Sequence, residues 1–199
     1  MHATIEKSRF RWRVVDIVTA AVIGVASGVV FWAWGLAYGP ISAGLAFTPG
    51  LEGVTAGGWL FAGVVAAFIV RKPGAAVFAE LLAGTTEALI GNQWGIGSLG
   101  WALVQGLGVE IVLALFFYKY WSWFVAFLAG AGAGLANAIL SIVIYYPAAG
   151  ATVQLVYAIS AIISGAVLAG LLGFGIVRLL ARAGALSRFA AGQAATPRV

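Results

Sequence analysis

The sequence predicts an all-α integral membrane protein, and three observations support this fold class. Hydrophobic residues make up 63% of the 199 residues and charged residues only 9%, and the mean hydropathy is +1.05. A water-soluble domain of this size leaves much of its surface facing solvent, so it could not hide so many apolar side chains. The apolar residues also gather into six segments, each about long enough to cross a hydrocarbon layer of roughly 30 Å as a helix. We therefore expect residues 1–199 to form a single transmembrane domain, a bundle of six helices.

The predicted spans, in chain order, cover residues 14–36, 52–70, 74–91, 98–118, 122–145 and 155–180. Glycine and proline mark most of the joints between them. The first span ends at "YGPISAGLAFTPG", the second at "RKPG", the third at "GNQWGIG" and the fifth at "YYPAAGAT". The fourth span ends before a lysine and the sixth before an arginine-rich tail.

The basic residues indicate the orientation of the bundle. They precede the first span and follow the second, fourth and sixth: Lys7, Arg9, Arg11, Arg13, Arg71, Lys72, Lys119, Arg178, Arg182, Arg188 and Arg198. The alternate connections, residues 37–51, 92–97 and 146–154, contain no Lys or Arg. The positive-inside rule therefore predicts that both termini are cytoplasmic. A cleaved signal peptide is the alternative for the first span, but its apolar run exceeds the usual length and cleavage would spoil the charge alternation.

The residue types that are scarce exclude several kinds of chemistry. The chain has no cysteine, and its one histidine is His2 in the N-terminal tail. The chain therefore lacks the residues needed for disulfides, thiolate metal sites and histidine-based acid–base catalysis. We expect no metal, no cofactor and no enzymatic reaction. No Walker A motif is present, so the chain by itself is not expected to hydrolyse ATP.

The third span carries two glutamates at positions where a charged side chain costs free energy. Glu80 and Glu87 are seven residues apart, which sets both carboxylates on one helical face with Ala83 and Gly84 between them. Carboxylates in lipid should turn toward the bundle interior and find a partner or a wet cavity. Hydrogen bonds between helices are one interpretation. A bound ligand is the other, because no Lys or Arg lies inside a span except near its cytoplasmic end. An aminopyrimidine-like ring can share a proton with a carboxylate in a two-point hydrogen bond.

Other polar and aromatic residues cluster at the depth of Glu87 and predict a small-molecule pocket that opens outward. The predicted substrate-binding residues are Trp34, Tyr38, Glu52, Trp59, Glu80, Glu87, Asn92, Trp94, Gln105, Asn137 and Tyr157. Aromatic belts at the membrane interface are the alternative for the Trp and Tyr residues. Glu110 is the last candidate, and it fits a place in the pocket and a tie between helices equally well. The loop from Tyr38 to Pro49 is the expected lid.

A ridge of small residues on the first span has two interpretations. Ala20, Gly24 and Gly28 recur at every fourth position, a pattern that lets another helix approach closely. The ridge either packs inside the bundle or docks a separate membrane subunit.

The stretch "RKPGAAVFAELLAGTTEALIGNQWG", followed by "VQGLGVE" and preceded by "EGVTAGGWLFAGVVAAFIV", resembles the YkoE-type substrate-binding S-components of energy-coupling factor (ECF) transporters. The resemblance covers essentially the whole chain. It implies a six-helix subunit of a prokaryotic cell membrane that captures thiamine, or its hydroxymethylpyrimidine precursor, from outside. It also implies assembly with a membrane coupling subunit and two cytoplasmic ATPases, and a release motion in which the bundle topples. Carried onto this chain, the motif positions are Glu80, Glu87, Gly91, Gln105 and Glu110, with Glu52 and Trp59 upstream.

Three other functions stay open at this point. A proton- or cation-coupled carrier could use Glu80, Glu87 and Glu110 as a relay. An S-component for a different vitamin would share the architecture. A structural membrane scaffold would use the glutamates only as ties between helices.

Overall fold

The computed structural model describes residues 10–193, so His2, Lys7, Arg9 and Arg198 lie outside the described part of the chain. Within it the protein is helical and contains no strand. The elements are α1 (Val14–Leu45), a 3₁₀ segment (Leu51–Trp59), α2 (Phe61–Val70), α3 (Ala75–Ile90), a 3₁₀ turn (Gly95–Gly97), α4 (Ser98–Leu115), α5 (Trp123–Tyr145), α6 (Ala151–Ser164), a π-helical segment (Gly165–Leu172), α7 (Gly173–Arg182) and α8 (Ala190–Gln193).

Five segments of the described chain are long and apolar enough to cross a membrane. They are Val14–Leu45, Leu51–Val70, Gly95–Leu115, Trp123–Tyr145 and Ala151–Arg182. The remaining predicted span corresponds to α3, which has 16 residues and is therefore only roughly 24 Å long. α3 nevertheless lies in the middle of the bundle, packed against α1, α2 and α4.

The first helix is longer than the sequence pattern predicts. α1 continues to Leu45 rather than ending at residue 36, and it contains Pro40. A proline disfavours helical backbone at the preceding residue because its ring clashes with that residue's Cβ. Gly39 has no Cβ, so the helix passes through this point. The predicted lid loop is therefore wrong for residues 38–45, which are helical, and only the short connection after Leu45 is a loop.

The connections alternate between two ends of the bundle. At one end, called the base here, Trp12 Nε1 donates to the Pro73 carbonyl over 3.1 Å, and the Arg71 guanidinium lies 5.5 Å from the centre of the Trp121 ring. The connections 46–50, 91–97 and 146–150 lie at the other end, called the cavity end. They contain no Lys or Arg, so the basic residues of the described chain gather at the base.

Small residues bring helix backbones into direct contact. A Cβ atom at Gly24 would lie 2.8 Å from the Ala79 carbonyl oxygen, and one at Gly28 would lie 2.6 Å from that of Ala83. Together with the fully buried Ala20, these glycines form the ridge on α1, and the ridge is covered by α3. Internal packing, the first of its two interpretations, accounts for these contacts, and the ridge presents no free surface to a separate subunit.

Candidate ligand-binding site

Most of the acidic side chains bind backbone N–H groups at the start of a helix. The Glu80 carboxylate accepts from Gly63 N over 2.7 Å, in the first turn of α2, and Glu110 accepts from Ala76 N over 2.8 Å, in the first turn of α3. The first N–H groups of a helix have no partner within the helix, and the helix dipole favours a negative charge there. Glu80 and Glu110 therefore each satisfy a helix terminus inside the bundle.

Two further acids also bind a backbone N–H at the start of a helical segment. Asp16, fully buried, accepts from Arg13 N over 2.8 Å at the start of α1 and also forms ion pairs with Arg13 and Lys72. Glu52 accepts from Gly50 N over 3.0 Å at the start of the 3₁₀ segment. Its other oxygen accepts a hydrogen bond from Tyr146 OH.

Glu87 differs from the other acids of the described chain. Its Oε1 accepts from the indole Nε1 of Trp59 over 3.2 Å, and no backbone N–H donates to it. The side chain is nearly buried, with 2% exposure, and it lines a cavity. A carboxylate offers about four lone-pair positions, of which the indole occupies one.

The cavity lies at one end of the bundle, between all the long helices and the 3₁₀ segment. It holds about 710 Å³ of empty space, a figure that includes its opening to the outside. Its lining residues are Phe31, Tyr38, Thr55, Ala56, Trp59, Gly84, Glu87, Trp94, Ser98, Trp101, Ala102, Gln105, Asn137, Ser141, Tyr145, Tyr146 and Tyr157.

Aromatic rings form the wall around Glu87. Tyr38, Trp59 and Trp94 meet edge to face, with ring centres 5.4 to 5.7 Å apart. Trp34 lies behind Trp59, with ring centres 6.2 Å apart, and its Nε1 donates to the Thr55 carbonyl over 3.0 Å. Aromatic faces beside a carboxylate suit a flat, cationic ring, because the ring faces attract a cation by roughly 0.5–2 kcal/mol.

Amides and hydroxyls form the opposite wall. Gln105 Nε2 donates to Asn137 Oδ1 over 2.9 Å, and Asn137 Nδ2 donates to Tyr157 OH over 3.5 Å. Trp101 Nε1 donates to Ser141 Oγ over 3.4 Å. These groups offer both donors and acceptors, so this wall could hydrogen-bond a neutral, polar part of a ligand.

Tyr146 connects the cavity wall to Glu52. Burial, and after it the hydrogen bond to Glu52, raises the pKa of Tyr146 above its ordinary value. The hydroxyl therefore stays protonated and keeps donating to the carboxylate. Glu52 thus acts on the cavity through Tyr146 and does not line it.

The structure separates the predicted site residues into two groups. Tyr38, Trp59, Glu87, Trp94, Gln105, Asn137 and Tyr157 line the cavity. Trp34, Glu52, Glu80, Asn92 and Glu110 do not. Of these, Glu80 and Glu110 bind helix starts, Trp34 and Glu52 contact lining residues, and Asn92 lines a neighbouring cavity.

Some lining residues were not predicted, chiefly Phe31, Thr55, Tyr145 and Tyr146. A signal existed for Tyr145, because it follows Asn137 and Ser141 at intervals of four residues and so shares their helical face. Among residues 10–193, no group of three or more His, Cys, Asp or Glu side chains is placed to hold a metal ion.

Comparisons with known proteins all lead to membrane transport. Residues 15–136 match the family model described as "ABC-type cobalt transport system, permease component". The chain is 36% identical over 183 residues to the "Putative HMP/thiamine permease protein YkoE" of Bacillus subtilis (strain 168), covering 92% of this chain and 91% of that protein. It also matches the crystal structure of an S-component of an ECF transporter with a TM-score of 0.86 and 36% identity, covering 92% of both chains.

Proposed function

The chain belongs to the YkoE-type S-components of ECF transporters, multi-pass helical proteins of the prokaryotic plasma membrane that are transport subunits and not enzymes. From this premise we propose that it captures thiamine, or the hydroxymethylpyrimidine precursor of thiamine, from the outer side of the membrane. The cavity would be the capture site, with Glu87 at its centre.

One observation carries the proposal. Within the described residues, Glu87 is the only acidic side chain that lines the cavity, and aromatic rings surround it. An aminopyrimidine edge presents a ring nitrogen and an amino group side by side. The amino group would donate to one carboxylate oxygen, and the ring nitrogen would share a proton with the other. The thiazolium of thiamine would be held by the aromatic rings, and the Gln105–Asn137 wall would bind the remaining polar groups.

The finer topology belongs to the same proposal. All six helical segments, including the short α3, would span the membrane with both termini in the cytoplasm, so that the cavity end faces outward. The absence of Lys and Arg from the cavity-end connections supports this orientation. A membrane coupling subunit and two cytoplasmic ATPases would supply the energy, and the bundle would topple to release its cargo inward.

A proton or cation relay through Glu80, Glu87 and Glu110 is less well supported. Glu80 and Glu110 are each bound to a helix start, so neither carboxylate is directed at the cavity. A relay would need these glutamates to pass a proton or cation between them, but Glu80 is hydrogen-bonded to α2 and Glu110 to α3.

Binding measurements on the purified protein test the proposal. Mass spectrometry of any copurified small molecule, and quenching of the eight tryptophans by thiamine and by hydroxymethylpyrimidine, identify the cargo. We expect Glu87→Gln to weaken binding at least tenfold, about 1.4 kcal/mol, because it removes the charge while keeping an oxygen that accepts from Trp59. Calorimetry of both proteins measures the change.

Glu80→Gln is the matched control, since it makes the same chemical change on the same helix outside the cavity. We expect its affinity to stay within about twofold of the unmodified protein, as for independent sites. Equal losses in the two variants, or none in Glu87→Gln, would contradict the assignment of Glu87 to the cargo. Tight binding of an unrelated vitamin instead would contradict the choice of cargo.

A further inference from the structure

A second cavity adjoins the first at the cavity end of the bundle. It lies between α1 and the connection 91–97 and holds about 510 Å³ of empty space, including its opening to the outside. Its lining residues are Trp32, Gly35, Leu36, Gly39, Gly91, Asn92, Gln93 and Trp94. Trp94 lines both cavities, so its side chain forms the partition between them.

The connection that carries Trp94 is loosely held. Gly91 and Gly95 flank it with φ angles of +106° and +57°, which glycine adopts without steric cost. A Cβ atom at Gly91, Gly95 or Gly97 would meet no atom within 4 Å. The connection is tied to α1 by the hydrogen bond from Trp32 Nε1 to the Gly91 carbonyl, 3.2 Å long, and within it Trp94 N donates to Asn92 Oδ1 over 3.2 Å. The Trp94 ring meets the rings of Tyr38 and Trp59 edge to face and packs beside Gly35 of α1.

Another side of the main cavity, between the 3₁₀ segment and α6, is held far more firmly. There the 3₁₀ segment packs on α6 backbone to backbone, and a Cβ atom at Gly53 or Gly57 would lie 2.5 Å from a carbonyl oxygen of α6. Gly57 N donates to Ser164 Oγ over 3.0 Å, and Ser164 in turn donates to the Val54 carbonyl. Opening this side would break buried backbone contacts and hydrogen bonds at once, whereas turning the Trp94 side chain would disrupt its ring contacts and its packing beside Gly35.

We infer that the second cavity is an entry vestibule and that the Trp94 side chain is the gate between this vestibule and Glu87. This inference rests on the proposed function. No charged side chain lines the vestibule; its polar groups are amides, indole N–H groups and backbone carbonyls. A small heteroaromatic molecule could therefore rest there without strong retention, and it would meet its charged partner only after passing Trp94.

The test obstructs the vestibule without touching the main cavity. Leu36 lines only the vestibule and is 63% exposed, so a larger side chain is tolerated there. We expect Leu36→Trp to slow both association and dissociation of thiamine by about tenfold, with the dissociation constant unchanged, since an obstructed route raises the barrier equally in both directions. Stopped-flow tryptophan quenching measures both rates.

Leu89→Trp is the matched control, because Leu89 is 83% exposed near the same end and lines neither cavity. Trp94→Phe, which leaves a smaller ring in the partition, should instead raise both rates. Unchanged rates in Leu36→Trp, or a loss of affinity with unchanged association, would overturn the vestibule. If the unmodified protein binds neither thiamine nor hydroxymethylpyrimidine, the proposed function fails, and the inference fails with it.

Discussion

Glu80 and Glu87 lie on one face of α3, seven residues apart, yet their surroundings have little in common. Glu80 is fully buried and binds the N–H of Gly63 at the start of α2. Glu87 lies two turns further along, binds an indole N–H and faces a cavity. Both are carboxylates in an apolar bundle, and of the two only Glu87 lines the cavity.

The difference shows that a buried carboxylate does not need a basic side chain as its partner. A helix that begins inside the bundle offers unpaired N–H groups and the positive end of its dipole. Glu80 and Glu110 use such helix starts, and Asp16 combines one with an ion pair. Glu87 instead accepts from an indole N–H and lines the cavity, where we propose that its charge meets the cargo.

The largest effect on stability is expected at Asp16. Asp16→Asn keeps an oxygen for the Arg13 N–H but leaves the Lys72 ammonium, which is 8% exposed, without its counter-charge. We expect a loss of about 3 kcal/mol in unfolding free energy, the usual cost of breaking a buried ion pair, while thiamine affinity is unchanged. Unfolding by SDS in mixed micelles measures this loss.

The double variant Asp16→Asn/Lys72→Met is the control, because it removes both charges and should recover most of the stability. Failure to recover would mean that the ion pair is not the source of the loss. Weakened ligand binding in Asp16→Asn would contradict the separation between acids that bind helix starts and the acid in the cavity.

The next largest effect is expected at Glu80. Glu80→Ala leaves the Gly63 N–H without an acceptor inside the bundle, which should cost about 2 kcal/mol of stability with little change in affinity. Glu80→Gln, which retains an oxygen, should lose less than half as much. The same SDS titration ranks the two variants, and an affinity loss in Glu80→Ala at intact stability would show that Glu80 acts in the cavity after all.

Periodicity in the sequence was sufficient for part of this picture. The predicted spans 52–70 and 122–145 lie within one residue of Leu51–Val70 and Trp123–Tyr145, because apolar runs bounded by turn residues are a strong signal. The placement of Glu80 and Glu87 on one helical face followed from their spacing. Gln105, a candidate site residue in the sequence, lines the cavity.

What periodicity could not give is the environment of each face. The break between the 3₁₀ segment and α2, at Leu60, has no proline to announce it, and it creates the N–H group that Glu80 binds. From the sequence, Lys and Arg are the partners that a buried carboxylate is expected to find within the membrane. Glu80 is therefore predicted among the ligand-binding residues. At Gly39 a helix continues where the sequence predicts that it ends. α1 extends through Pro40, so residues expected in a lid loop are helical.

The smallest effect is expected at Trp59, and it separates the indole N–H from the aromatic ring. Trp59→Phe keeps a ring in the wall but removes the donor to Glu87 Oε1. We expect an affinity loss of about 1 kcal/mol, the usual value of one hydrogen bond. Trp34→Phe is the matched control: Trp34 does not line the cavity, and its N–H donates to the Thr55 carbonyl rather than to Glu87, so affinity should hold while stability falls slightly. In the double variant with Glu87→Gln, the effect of Trp59→Phe should shrink, because an amide oxygen gains less from the indole than a carboxylate does. Calorimetry measures the affinities of the four proteins of this cycle. If the free-energy losses of the two single variants add without coupling, Trp59 contributes only its ring, and the hydrogen bond that distinguishes Glu87 from Glu80 has no part in binding.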